Sequence, residues 1–225
     1  MAKHSEAVKT WSSKSGLAEL TKGEVTRRDI IRQAAPIFNR KGFEGAAISD
    51  LMLATGLEKG GIYRHFSSKQ QLAAEAFDYA WKIAWNTRLA NIDEIPNAVD
   101  RLRQMVRNFR DLREGLVPGG CPLMNTAIDT DSGNVLLRRK AKVALEGWLG
   151  RLQSIVKEGQ RRHEVRADAV PQQVATTIVS TLEGSLMIAR LQRSEEPLQQ
   201  GCRHLERYLE SEVRAPESQT PRPKS

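Results

Sequence analysis

Helical periodicity runs through almost the whole chain and leaves the backbone few alternatives. Apolar residues recur three and four positions apart from Ile30 to Leu209, the spacing that places them on one face of an α-helix. Strand-like alternation bounded by turn dipeptides is missing, and no internal repeat is visible. The pattern predicts an all-α fold of about nine helices.

Boundary signals divide the pattern. The first helix is expected from about Gly23 to Lys41. Thr21 and Glu24 have capping-box spacing, which moves its start toward Thr21. Pro36 lies inside it and removes a backbone donor, so a kink is expected there. Gly42 suits the position just past the helix end. Ile48–Thr55 and Lys59–Phe66 read as two short helices around Gly56. Ser67 or Ser68 caps a fourth that reaches about Asn91. The remaining helices are expected at Pro96–Arg113, Leu123–Asp129, Asn134–Arg162, Pro171–Gln192 and Pro197–Val213.

Composition narrows the class. The chain has 225 residues, 40 % of them hydrophobic, enough to bury a core without disulfides. Its two cysteines, Cys121 and Cys202, make no disulfide framework. No apolar run approaches the ~20 residues of a bilayer span, and the N-terminus lacks the apolar stretch of a signal peptide. A cytoplasmic protein without membrane partners is expected. The net charge of +8 suggests a polyanionic partner. Residues 1–80 carry 12 basic and 9 acidic side chains, so the excess is spread thinly. A few well-placed side chains must then matter more than total charge.

Four regions are expected. Residues 1–21 form a polar arm and 214–225 a Pro-rich disordered tail. Residues 22–68 form a first helical domain, read below as a helix-turn-helix, and 69–213 a larger helical domain. The key segment is ISDLMLATGLEKGGIYRHF, Ile48 to Phe66. Gly56 lets the chain turn sharply between two short helices. Ile48, Leu51, Leu57 and Ile62 can pack them on each other and on the first helix. A helix-turn-helix, which sets its second helix in a DNA major groove, has this form; an ordinary αα corner has it too.

The neighbouring residues add a resemblance. The stretch from Arg27 through AAPIF, Gly42–Phe43 and TGLEKGGIYRHFSSKQQL to Ala76 resembles the TetR/AcrR family of transcriptional regulators. The combination IYRHF followed by SK carries most of it. GCPLMNTAID and LEGSLMIARL look like the ligand-binding half of some members. Two positions depart from the pattern. Met52 stands where a small residue is usual, and Gly61 where many members have Thr or Ser. The resemblance implies a homodimer built from the last two long helices. It also implies phosphate contacts by Tyr63 and Lys69.

The residues supply their own reasons for DNA binding. Lys59 and Arg64 have the reach for guanine edges or phosphates. Tyr63 and His65 carry donors suited to phosphate oxygens, and Ser49 stands at a helix start that favours an anion. Arg27 and Arg28 can add backbone contacts. Gly60 and Gly61 cost about 1 kcal/mol each in a helix but let the backbone approach DNA closely. Ile62 and Phe66 are expected in the core.

The second half is expected to hold a small-molecule pocket. Trp81 and Trp85 share a face at i, i+4. Met105, Phe109, Trp148, Leu152 and Met187 are large apolar side chains on other helices, and Asn125 and Glu183 are candidate polar groups among them. Such a lining suits an apolar or aromatic effector. Cys121, in GGCPL at a helix start, is a candidate sensor of electrophiles or oxidants, since a helix N-terminus favours thiolate; a small buried residue fits there equally. Val174, Ile178, Leu182, Leu186 and Leu191 form a stripe for dimer contact or for an internal core.

No triad order, P-loop or metal-ligand spacing stands out, so no enzyme, cofactor or metal is expected. The function expected is a homodimeric repressor released from a palindromic operator by a small molecule. Thiol-based release through Cys121, or activation instead of repression, are the alternatives.

Overall fold

The computed structural model describes residues 21–111, 117–130 and 133–216. The arm at 1–20 and the tail at 217–225 lie outside them. The described residues form nine α-helices and no paired strands beyond one isolated bridge. These are α1 (Lys22–Gly45), α2 (Ile48–Thr55), α3 (Lys59–Tyr63), α4 (Lys69–Arg88), α5 (Ala98–Arg110), α6 (Pro122–Asp129), α7 (Val135–Arg161), α8 (Pro171–Gln192) and α9 (Glu196–Tyr208). A 3₁₀ turn covers Ile92–Glu94, and a π-helical turn, Leu209–Val213, follows α9.

Local chemistry sets the boundaries. The Glu24 amide donates to Thr21 Oγ1 at 3.3 Å and the Thr21 amide to Glu24 Oε2 at 2.8 Å, completing the capping box. That carboxylate is held below its ordinary range, chiefly by the Thr21 backbone bond. Ser68 caps α4 and Asn134 caps α7. Asn97, rather than Pro96, opens α5, its Oδ1 accepting from the amides of Val99 and Asp100.

Four expectations need correction. The break in α1 sits at Gly42, with φ +71, and not at Pro36. Freed there from the helix, the Phe43 amide donates to Asp129 Oδ2 at 2.7 Å. The helix α3 ends at Tyr63, not Phe66, and His65 closes onto Ile62 in a tighter turn. The fourth helix ends at Arg88, where Asn91, with φ +60, turns the chain. The tail does not start at Arg214. The Ala215 amide donates to Glu164 O at 3.0 Å, and the Arg214 guanidinium pairs with Asp100 and Glu210.

Two cores share α4. Ile30, Ala34, Leu51, Ile62 and Phe66 pack on Leu72, Ala76 and Ala80, uniting α1 to α4. The opposite side of α4 gives Ala73, Ala74 and Phe77 to the larger core, built on α5, α7, α8 and α9. Val117, just before α6, enters the smaller core and ties the two together.

The helix α8 corrects a further expectation. Its most apolar 18 residues have a mean hydropathy of 1.2, long and apolar enough for a bilayer span by composition. One face, Val174, Ile178 and Leu182, is buried within the same chain. The stripe weighed for dimer contact is therefore mostly internal core. Met187, Ile188 and Leu191 point outward instead, and Leu191 is 79 % exposed.

Candidate DNA interface and effector site

Gly56 builds the turn between α2 and α3. It adopts φ +66, a conformation open to glycine, and its amide donates to Met52 O at 2.9 Å. Leu51, Ile62 and Phe66 then close the interior, as their residue types predict. What remains outside is polar. Lys59, Gly60, Arg64 and Ser49 are exposed, and Gly61, Tyr63 and His65 are half-buried beside them. A Cβ added at Gly60 meets nothing within 4 Å, and one at Gly61 meets only Leu57, at 3.4 Å. Internal packing therefore gives no reason for glycine at 60.

The arginines of α1 divide. Arg28 is exposed. Arg27 is engaged internally: its Nη2 lies 2.5 Å from Glu75 Oε1, and its guanidinium sits 4.6 Å from the Phe66 ring centroid. It pins α1 to α4, which corrects its assignment as a backbone contact. Lys69, the first residue of α4, holds its ammonium 4.5 Å from the Phe43 ring centroid. Lys41 pairs with Asp50 at 2.7 Å, and this hydrogen bond is the main cause holding that carboxyl below the usual range.

The tryptophan face of α4 leads to a buried polar cluster. Trp81 lies 6.0 Å from Trp85 and 6.1 Å from Trp148, and Phe109 stacks on Trp148 at 6.1 Å. Met105 and Leu152 pack in the same core, fully buried. Amid these rings lies Arg88, which the sequence reading missed. Its side chain is 3 % exposed and its Nη2 contacts Cys121 Sγ at 3.1 Å and Glu183 Oε1 at 3.4 Å. The Cys121 thiol donates to the same Glu183 oxygen at 2.9 Å. Burial pushes the Glu183 carboxyl up, against the pull of Arg88. A signal for Arg88 existed, because 81, 85 and 88 share one helical face.

Two pocket assignments change, and Cys121 keeps its place in the cluster but not its sensor chemistry. Cys121 is buried and its thiol is pushed up to about 11, first by burial and then by Glu183, while Arg88 lowers it. Desolvation here overrides the helix terminus. Asn125 does not reach the aromatic cluster. Its Nδ2 donates to Asn39 O at 2.9 Å, Asn39 Oδ1 at 3.0 Å and Gly119 O at 2.8 Å. Met187 is exposed on the outer face of α8. Trp81 and Trp85 also line an open groove of about 570 Å³ between α4 and α7, with Phe77, Ala144 and Gly147.

Besides α4 itself, two side chains of α6 link the cluster to the DNA-facing half. Cys121 stands at its start, in the cluster. Asn125, in its middle, holds Asn39 of α1, and Asp129, its last residue, holds the Phe43 amide.

Known proteins share this fold. Residues 30–76 match the family model "Bacterial regulatory proteins, tetR family", and residues 98–205 match "Tetracyclin repressor-like, C-terminal domain". A TetR transcriptional regulator from Chloroflexus aurantiacus is 39 % identical, with a TM-score of 0.84 over 88 % of this chain and 100 % of that one. The HTH-type transcriptional repressor DhaR of Mycobacterium sp. (strain GP1) is 23 % identical over 77 % of this chain and 87 % of its own length. The regulator CifR, solved as a cysteine mutant with a 26-base-pair operator DNA, is 19 % identical and has a TM-score of 0.70 over 89 % of this chain and 99 % of that one. With both halves matched and the helix-turn-helix in place, the chain belongs to the TetR family of DNA-binding transcriptional regulators.

Proposed function

We propose that the protein is a homodimeric repressor that leaves a palindromic operator when a small molecule binds its helical half. The observation that carries DNA reading is the exposed row Lys59, Gly60 and Arg64, on and just past a helix whose Ile62 is buried. Gly60 gives DNA room to approach. Lys59 and Arg64 reach bases or phosphates, while Ser49, Tyr63, His65, Lys69 and Arg28 set the register on the backbone. Arg27 is left out because Glu75 holds it.

The outward apolar face of α8 supports a dimer, since Met187, Ile188 and Leu191 are otherwise left in water. Two copies place two recognition helices ~34–36 Å apart, on successive turns of the major groove. The tryptophan groove and the Arg88 cluster support an effector site. Effector binding there would move α4 and α6, which reach the DNA-facing half through the shared core and through Asn125 and Asp129. A coupling of about 1–3 kcal/mol changes DNA affinity roughly 5–150-fold. Thiol-triggered release is disfavoured, because the Cys121 thiol is buried and held protonated. The reading places the protein in the cytoplasm, with its DNA.

A gel-shift series on DNA upstream of the protein's own gene tests the reading. Tyr63→Phe and Lys69→Ala should weaken binding to every sequence and lower the salt slope. Arg64→Ala should relax discrimination by about 1–3 kcal/mol at one position per half-site. An unchanged sequence preference would move Arg64 to the phosphates, and no shift with wild type would remove the operator reading.

A further inference from the structure

The buried cluster holds more donors than the protein satisfies. The Arg88 guanidinium lies 4.2 Å from the Trp148 ring centroid, 4.8 Å from that of Phe109 and 5.2 Å from that of Trp81. Among the described residues, only its Nη2 has partners. Arg88 Nε and Nη1, Trp148 Nε1 and Glu183 Oε2 are buried without any. A guanidinium cannot shed its proton to escape this, and each unpaired buried donor destabilises the folded state. The partner it has is imperfect: 3.4 Å to Glu183 Oε1 is longer than the ~2.7–2.9 Å of a charge-assisted bond.

Resting on the effector-released reading above, we propose that the effector is an aromatic carboxylic acid whose carboxylate takes Arg88 Nη2 from Glu183 and pairs a free nitrogen, Nη1 or Nε, beside it. Three features select this class. The aromatic cage already contains a cation, so a cationic ligand would meet like charge. A purely apolar ligand would leave the Arg88 donors unpaired. A carboxylate satisfies two guanidinium nitrogens at once, and its ring packs on tryptophan. The approach is also electropositive. Lys82, Arg139 and Lys140 edge the tryptophan groove, and its one carboxylate, Asp78, is paired with Lys140. Trp81 is common to the groove and the cage. A carboxylate on Arg88 competes with Glu183 of α8 and loosens the contact to Cys121 of α6. It thereby acts on α8, whose outer face the dimer reading uses, and on α6, which holds α1 through Asn125 and Asp129.

Calorimetry on the full chain with three shape-matched probes tests the class: 2-naphthoate, 2-naphthalenemethanol and 2-naphthylmethylammonium. Naphthoate should bind at least roughly 10-fold tighter than the alcohol, and the ammonium weakest. Arg88→Met should remove the preference. Glu183→Gln keeps the shape, removes the competing charge, and should tighten naphthoate but not the alcohol, which keeps the test decisive if Arg88→Met does not fold. Equal or tighter binding of the alcohol or the ammonium, or no naphthoate heat up to about 1 mM, overturns the proposal. Release of DNA by the alcohol with naphthoate inert would overturn the acid class and leave effector-driven regulation standing. Loss of DNA binding itself, read in a shift assay, would remove the regulatory reading and leave the calorimetric preference intact.

Discussion

Gly42 is where one side chain decides a connection between halves. Its φ of +71 with ψ of 178 is a conformation reserved for glycine. An added Cβ would also collide with the Asp129 carboxylate. Gly42→Ala should therefore cost roughly 1–3 kcal/mol, read as a lower midpoint in urea unfolding. An unchanged midpoint would show that the Asp129 contact is dispensable. The cysteines make a second expectation at this scale. Cys121 and Cys202 are both buried with thiols pushed up to about 11, so both remain protonated at neutral pH. Native protein should react slowly with a thiol-specific chromogenic reagent at pH 7.5, and both thiols should react promptly in denaturant. Rapid labelling of Cys121 in native protein would restore the sensor reading.

At the scale of the element, α8 has two faces with different fates. Val174, Ile178 and Leu182 hold it to its own chain, while Met187, Ile188 and Leu191 face out. Leu191→Glu should weaken self-association by about 2 kcal/mol or more if that face is central to a dimer. Its effect on the monomer should be small, because the side chain is already 79 % exposed. Sedimentation at several concentrations checks this, and an unchanged assembly would place the interface elsewhere. The opposing character of α8 explains why the sequence stripe left both readings open. Apolar periodicity reports that a helix face is buried, and an internal neighbour and a second copy demand the same residues. The ends of α4 and α5 were misplaced for a related reason. Asn91 and Asn97 act through backbone conformation and side-chain capping, which hydrophobic spacing does not register.

The whole molecule is two cores joined by α4 and braced by α6. If α6 carries the coupling, Asn125→Ala should lose about 1–3 kcal/mol of stability through its three hydrogen bonds. DNA affinity without effector should then persist, while effector-driven release falls by about 5-fold or more. A shift assay with and without effector separates these outcomes, and unchanged release would show that coupling runs through α4 alone.

The all-α class, the capping of α1, the α2–Gly56–α3 turn and the buried places of Leu51, Ile62 and Phe66 were legible in the amino-acid order. Each rests on interactions between residues a few positions apart, and helical period and glycine geometry record those directly. The tertiary structure decided the rest. It took Arg27 from the DNA list by setting Glu75 beside it. It moved Asn125 from effector contact to a clamp on Asn39 and buried the Cys121 thiol beyond easy ionisation. It brought Arg88, Cys121 and Glu183 together from three helices. Burial and partner choice depend on residues tens of positions apart, and their chemistry exists only once the helices have packed.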